Sequence, residues 1–347
     1  MLTPTNRENG DLAMEIRPIN RLRFTSNPTP DTSDYHQATI GRVHWRYPDK
    51  SSQRSHEEQR AGSLYELAKE KVWNASHNIP WSAPLLEDTF PTAAENNPLV
   101  GFEPYDALDR EEQLQIAWWQ HELEISEVLH GEQGALLISS QLLGCVPSLE
   151  ARLFMSSQVS DEARHVEFFS RYLRDVVGNI QPPSDAIRTL IISALEDASW
   201  DRKFLVCQVV IESLAMAKFQ EIRHYTRVPV LAFAVDYIAQ DEARHVKFGV
   251  DFLRAHMSSI PDHERQRHSD HVLDTVIGLA GALNIPTRIA QAADWDTIDM
   301  RRHLRRYRIS HPELNRRRFR QLSLSLEAVG LLTDRCRQRL QQMDLFS

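Results

Sequence analysis

Asp161-Glu162-Ala163-Arg164-His165-Val166 recurs 80 residues later, letter for letter, as Asp241-Glu242-Ala243-Arg244-His245-Val246. A block repeated at a fixed offset marks a duplicated supersecondary unit. Here the repeat carries charge rather than core residues. In each copy a carboxylate and an imidazole stand three apart, so on a helix they project from one face and reach a common point. That is the Glu-x-x-His pair of carboxylate-bridged dinuclear metal sites, which take one further Glu from each of two more helices.

The extra acids should share the offset, and they do. Glu132, in Leu129-His130-Gly131-Glu132-Gln133-Gly134-Ala135-Leu136, and Glu212, in Val209-Val210-Ile211-Glu212-Ser213-Leu214-Ala215-Met216, are also 80 apart, and each precedes its partner Glu by 30. If Glu132 faces Glu162 across antiparallel helices, the turn falls near residue 147, where Pro147 follows Gly144. For Glu212 and Glu242 the midpoint is near 227, and Pro229 is close by. Both residue types disfavour a helix interior. A lone Glu-x-x-His carries little weight, because Glu127/His130 and Glu221/His224 match it too. Neither recurs: positions 207 and 210 are Cys and Val, and positions 141 and 144 are Gln and Gly. The ligand set expected is therefore Glu132, Glu162, His165, Glu212, Glu242 and His245.

The flanking residues extend the pattern. A metal-bound His hands its second N–H to a carboxylate or carbonyl, so Asp161 should serve His245 and Asp241 should serve His165, in crossed pairs. Arg164 and Arg244 would hold those acids ionised. Ala135, Leu136, Ala215 and Met216 lie about one turn, and Ser139 and Phe219 about two turns, from Glu132 and Glu212 on the same helices. They are expected either as ordinary core or as the wall of a substrate pocket.

Around this centre the chain reads as all-α. Acids at Glu111 and Glu112 open a helix running from Asp109 to about Leu143, and further long helices are expected over Ser148 to Val177, Trp200 to Thr226 and Val230 to His256. A crossover helix spans Ser184 to Ala198. The result is a ferritin-like four-helix bundle at 109–256, preceded by an arm with short helices at 1–108 and followed by a helical extension at 257–347. Residues 1–60 read as an extended arm in which Trp45, Tyr47 and Pro48 dock, or as a disordered tail. A short helix is expected from Leu64 to about Ser76. After Pro261, helices are expected over His263 to Leu283 and from Thr297 onward. The stretch 301–320 holds nine Arg, either a solvated or covering face or a dock for an anionic partner.

Composition bounds the rest. In 347 residues, 41% hydrophobic and 25% charged, the net charge of -8 gives no basis for nucleic-acid binding. Three cysteines without a C-x-x-C pair argue for a reducing cytoplasm rather than a disulfide framework. No signal peptide and no membrane-spanning run is evident. Carboxylate and imidazole donors without thiolate suit iron or manganese.

The duplicated Asp-Glu-Ala-Arg-His block, each copy preceded by a lone Glu, resembles the ferritin-like di-iron oxidases and oxygenases over about residues 109–256. Within that group the chain is most similar in kind to the para-aminobenzoate N-oxygenase-like proteins. The resemblance implies an oxidoreductase with two Fe ions, or a Mn/Fe pair, using O2 as co-substrate and electrons from an external donor. It implies oxygenation of a small molecule of secondary metabolism, with amine N-oxygenation favoured. A hydroxylase or desaturase of a carrier-bound acyl chain, and a non-catalytic iron-binding protein, are the alternatives. A reductase, a carrier protein and a second copy of the chain are the partners it admits. Two departures matter. The ribonucleotide reductase small subunit has its radical Tyr seven residues after the Glu matched by Glu162, where this chain has Phe169. The aminobenzoate N-oxygenases have a further His four residues before the last ligand Glu, where this chain has Ile238.

Overall fold

A computed structural model describes residues 55–84, 89–146, 148–282 and 285–343. The expectations for Trp45, Tyr47, Pro48 and the Pro147 turn lie outside them. Among the described residues the regular structure is helical, with one isolated β-bridge between Thr92 and Thr226.

Two long hairpins make the bundle. The first pairs α3 (Arg110–Cys145) with α4 (Leu149–Tyr172); α1 (His56–Glu70) and the one-turn α2 (Glu103–Asp106) precede it. Asp109 caps α3 by accepting from the Glu112 amide at 2.9 Å while the Glu112 carboxylate takes the Asp109 N–H at 3.0 Å, a reciprocal cap that satisfies two otherwise orphaned donors. Ser148 caps α4. That helix loosens into a π-helical turn, Leu173–Val177, and stops at Gly178, whose φ of 99° suits glycine. After the crossover helix α5 (Asp185–Glu196), the second hairpin runs from α6 (Trp200–Leu205) through a π-helical segment, Val206–Ile211, into α7 (Glu212–Tyr225) and returns as α8 (Pro229–Ser259). Pro229 occupies the first turn of α8, where its missing N–H costs nothing. The second turn therefore lies at residues 226–228, close to the expected midpoint.

The outer helices differ from expectation in useful ways. The helix expected from Leu64 begins instead at His56, because Ser55 and Glu58 form a capping box, and it ends at Glu70, six residues earlier than expected. It lies along α4 and α8, the two helices that carry the Glu-x-x-His pairs. Part of the expected arm is thus a lid of helix over the bundle. On the far side α9 (Asp262–Ala282) and α10 (Ile285–Ala292) are followed by α11 (Thr297–Ser310), α12 (Pro312–Ala328) and α13 (Asp334–Gln342). The single C-terminal helix expected from Thr297 is three, because Pro312 starts a new helix and Gly330, at φ 76°, ends it. α12 packs along α7.

Buried apolar residues flank the bundle interior on both sides of the charged layer. One cluster includes Phe154, Phe204, Phe248 and Met257; the other includes Phe168, Phe169, Tyr172 and Phe219. No helix among the described residues is long and apolar enough to cross a membrane.

Candidate metal centre

All six expected ligands come together. Glu162, His165 and His245 are fully buried, and Glu132, Glu212 and Glu242 nearly so. Their donor atoms form two overlapping groups, each within 4.8 Å: Glu132, Glu162, His165 and Glu242, and then Glu162, Glu212, Glu242 and His245. Glu162 and Glu242 belong to both. Helix geometry explains the sharing: α4 and α8 each present a carboxylate and an imidazole one turn apart, and α3 and α7 each add one acid at an opposite end.

The histidines are oriented alike. His165 Nδ1 lies 3.0 Å from Glu132 and 3.2 Å from Glu242, and His245 Nδ1 lies 3.3 Å from Glu162, 3.4 Å from Glu242 and 3.5 Å from Glu212. Each Nε2 turns outward to the opposite aspartate: His165 to Asp241 at 3.2 Å and His245 to Asp161 at 3.1 Å. These are the crossed pairs that the duplication predicts. Arg164 and Arg244 ion-pair with Asp161 and Asp241 on their own helices and reach the other helix's aspartate at 3.5 Å. Burial opposes ionisation of Asp241, but His165, Arg244 and the indole of Trp73 outweigh it and hold its carboxyl below the usual range.

The inner carboxylates behave oppositely. Burial pushes Glu132 up to about 7, against the pull of His165. Burial and the neighbouring Glu242 push Glu212 up to about 8. Burial also works against charged His165 and His245, yet the surrounding carboxylates keep both well above the ordinary imidazole value. Four buried acids need positive charge, which protons or metal cations can supply. Glu162 Oε2, both oxygens of Glu242 and His245 Nδ1 are buried without a hydrogen-bond partner among the described residues. Native interiors seldom leave such atoms unpaired. All four face the shared centre, so the donor set fits a pair of cations.

The unrepeated Glu-x-x-His matches are elsewhere. Glu127 accepts from the Ser184 amide and hydroxyl, both at 2.8 Å, and from Arg288 at 3.2 Å. Glu221 pairs with Lys218 and Arg318. His130 contacts Gln133 and the Gln181 carbonyl, and His224 packs on Tyr225.

Three residues at the centre escaped the sequence reading. Trp73, in the loop after α1, donates its indole N–H to Asp241 at 2.7 Å and stacks on His165 and Tyr237. Gln158 and Gln208 are fully buried beside Glu212. None carries a motif, and none has a like residue at the repeat offset. Of the expected pocket wall, Ala135 and Ser139 are buried, with the Ser139 hydroxyl donating to the Ala135 carbonyl at 2.6 Å. Leu136, Ala215 and Met216 are half-buried, and Phe219 stacks on Phe169. A cavity of about 320 Å³ lies away from these six, lined by residues including Phe90, Tyr105, Arg110, Gln120 and His121.

This fold and this donor set fit the ferritin-like proteins that hold a pair of metal ions among carboxylates and histidines. A family described as P-aminobenzoate N-oxygenase AurF matches residues 54–327. The chain belongs to that family and is a di-iron oxygenase, which retires the non-catalytic reading. Among solved structures, two variants of an R2-like ligand-binding oxidase, reconstituted with a Mn/Fe cofactor aerobically in one and anaerobically in the other, superpose with TM-score 0.51 at 18% identity. The matches cover 84% of this chain and 97% and 96% of theirs, and show the shared fold. No curated protein matches the sequence.

Proposed function

We propose that Glu132 and His165 would hold one metal ion and Glu212 and His245 a second, with Glu162 and Glu242 available to both, in an enzyme that oxygenates the nitrogen of a small-molecule amine. The observation that carries the ligand assignment is the sharing of Glu162 and Glu242 between the two donor groups. The family's description carries the choice of amine. When bound, the metal pair supplies the activation of dioxygen and passes on electrons from an external donor. The protein's part is placement: Asp161 and Asp241 fix the imidazole rings, Arg164 and Arg244 ion-pair with those aspartates, and the aromatic and aliphatic layers on either side exclude water.

Ala135, Leu136, Ser139, Ala215, Met216 and Phe219 support a substrate wall by their place on the helix faces next to Glu132 and Glu212. Ile238, where a family His is expected, leaves that flank apolar and the donor set at six. The test is turnover: iron-loaded protein given a chemical reductant and oxygen, with aminoarenes and aliphatic amines assayed against acyl-carrier substrates by mass spectrometry. Products one or two oxygens heavier on nitrogen support the reading. Oxidation confined to carbon of the acyl substrates would replace it with the hydroxylase or desaturase reading. A need for a dedicated reductase or carrier protein would show as turnover restored only by extract fractions, and sedimentation would report whether a homodimer forms.

A further inference from the structure

The duplicated centre obeys its 80-residue relation at the ligands, the aspartates and the arginines, and breaks it, apart from Trp73, at two buried amides beside Glu212. Gln158, one turn before Glu162 on α4, corresponds to Ile238, one turn before Glu242 on α8. Gln208, in the π-helical segment before Glu212, corresponds to Val128 on α3. Gln158 Nε2 donates to Glu212 Oε1 at 2.7 Å and more weakly to Glu162 Oε1 at 3.3 Å. Gln208 Nε2 donates to Gln158 Oε1 at 2.8 Å. With metal bound Glu212 is an ionised carboxylate that only accepts, so its contact fixes which end of the Gln158 amide is nitrogen, and that in turn fixes Gln208. On the other side, Ile238 is buried among apolar residues with Val128 packed against the same cluster. No amide reaches Glu132 among the described residues.

We propose that Gln158, oriented by Gln208, is a positioning residue that holds Glu212 to its metal through one oxygen and so makes the two metal positions inequivalent. The proposal rests on the ligand assignment above. Glu212 Oε1 is occupied by the amide, which leaves Oε2, 3.5 Å from His245 Nδ1, facing the metal position. A carboxylate tethered in this way is pre-organised for that position and restrained from swinging to a two-oxygen mode, whereas Glu132 has no tether of this kind. Hydrogen bonds to ligands from outside the coordination sphere are worth about 10–100-fold in metal affinity.

The test is Co(II) titration of the metal-free protein, followed by visible absorption and by metal content after gel filtration. In Gln158→Met, which keeps volume and removes the donor, the first equivalent, which fills the tethered Glu212 position in the parent, should bind about 10–100-fold more weakly, while the second changes far less because it feels only the weaker contact to Glu162, with altered visible bands for the ion at the Glu212 position. Gln208→Met should shift the same step in the same direction by less. Ile238→Met, an equal disturbance of packing at the mate position, should shift neither step. Equal weakening of both steps in Gln158→Met, or no change in either, overturns the proposal. Glu212→Ala separates the two layers: if it still binds two ions, the ligand assignment fails, and if it binds one while Gln158→Met behaves as wild type, only the positioning role fails.

Discussion

At the level of single residues, the centre is ordered by pairs that cross between helices. Asp161 and Asp241 each receive an Nε2–H from the opposite helix, so either aspartate is needed for a histidine it is not adjacent to in sequence. Asp161→Asn should therefore weaken metal at the position of His245, and Asp241→Asn at that of His165, each by about 10–100-fold in a metal-competition titration. Equal loss at both positions in either variant would contradict the crossed arrangement. Trp73→Phe removes one donor to Asp241 while keeping a ring for Tyr237 to stack on, and should weaken the His165 position by less than Asp241→Asn does. Most of this was legible in the sequence, because duplicated residues certify each other: an Asp, Glu, Arg and His that recur at one offset are hard to explain as solvated helix surface. Trp73, Gln158 and Gln208 were not legible for the converse reason. They act on one half only, and a residue that breaks the repeat looks like noise until distances are known.

At the level of elements, the π-helical segment Val206–Ile211 turns the chain by an extra residue just before Glu212. Such bulges are frequent at functional sites, and this one brings Gln208 to Gln158. It was invisible beforehand because an almost wholly apolar run has no periodicity to betray a change of pitch. The bulge needs room on α8. A Cβ at Gly249 would sit 2.5 Å from Gln208 Cβ and 3.0 Å from its carbonyl oxygen, and the latter is backbone that cannot step aside. Gly249→Ala should destabilise the protein by about 1–3 kcal/mol in chemical unfolding, as overpacking does. Wild-type stability in that variant would mean that the segment is free to relax. The starts of α3 and α4 were readable at Asp109 and Ser148, whereas the Ser55/Glu58 box that starts α1 was passed over. Glu127, in contrast, looks like a ligand and acts as a brace that ties α3 to the start of α5 and to Arg288. Glu127→Ala should cost about 1–3 kcal/mol of stability by orphaning those donors, with metal content unchanged.

For the molecule as a whole, a buried layer of four acids sits between two apolar clusters, and stability should depend on what neutralises it. In the metal-free chain Glu132 and Glu212 are raised to about 7 and about 8 from 4.5, and His165 and His245 are raised above 6.5. Raised groups hold protons in the folded state after the unfolded chain has released them, so their contribution is whole below the unfolded values and lost as pH rises through the folded ones. The melting temperature of metal-free protein should therefore fall between about pH 5 and pH 8, and iron or manganese should flatten the dependence by taking the place of the protons. A metal-free curve that rises over that window would contradict the charge balance described here. The architecture was readable from two hairpins with matched midpoints, whereas the covering of α4 and α8 by α1 was not, since nothing in a short amphipathic helix names the surface it lies on.

The measurement that bears most directly on the central claim is iron content after anaerobic loading and gel filtration, made in parallel on Glu162→Ala, His245→Ala, Glu127→Ala and His224→Ala. Two irons per chain in the parent, loss of the centre in the first two variants and full content in the last two is the result expected of a centre to which Glu162 and Glu242 are available at both positions. Equal iron in all four variants would contradict it.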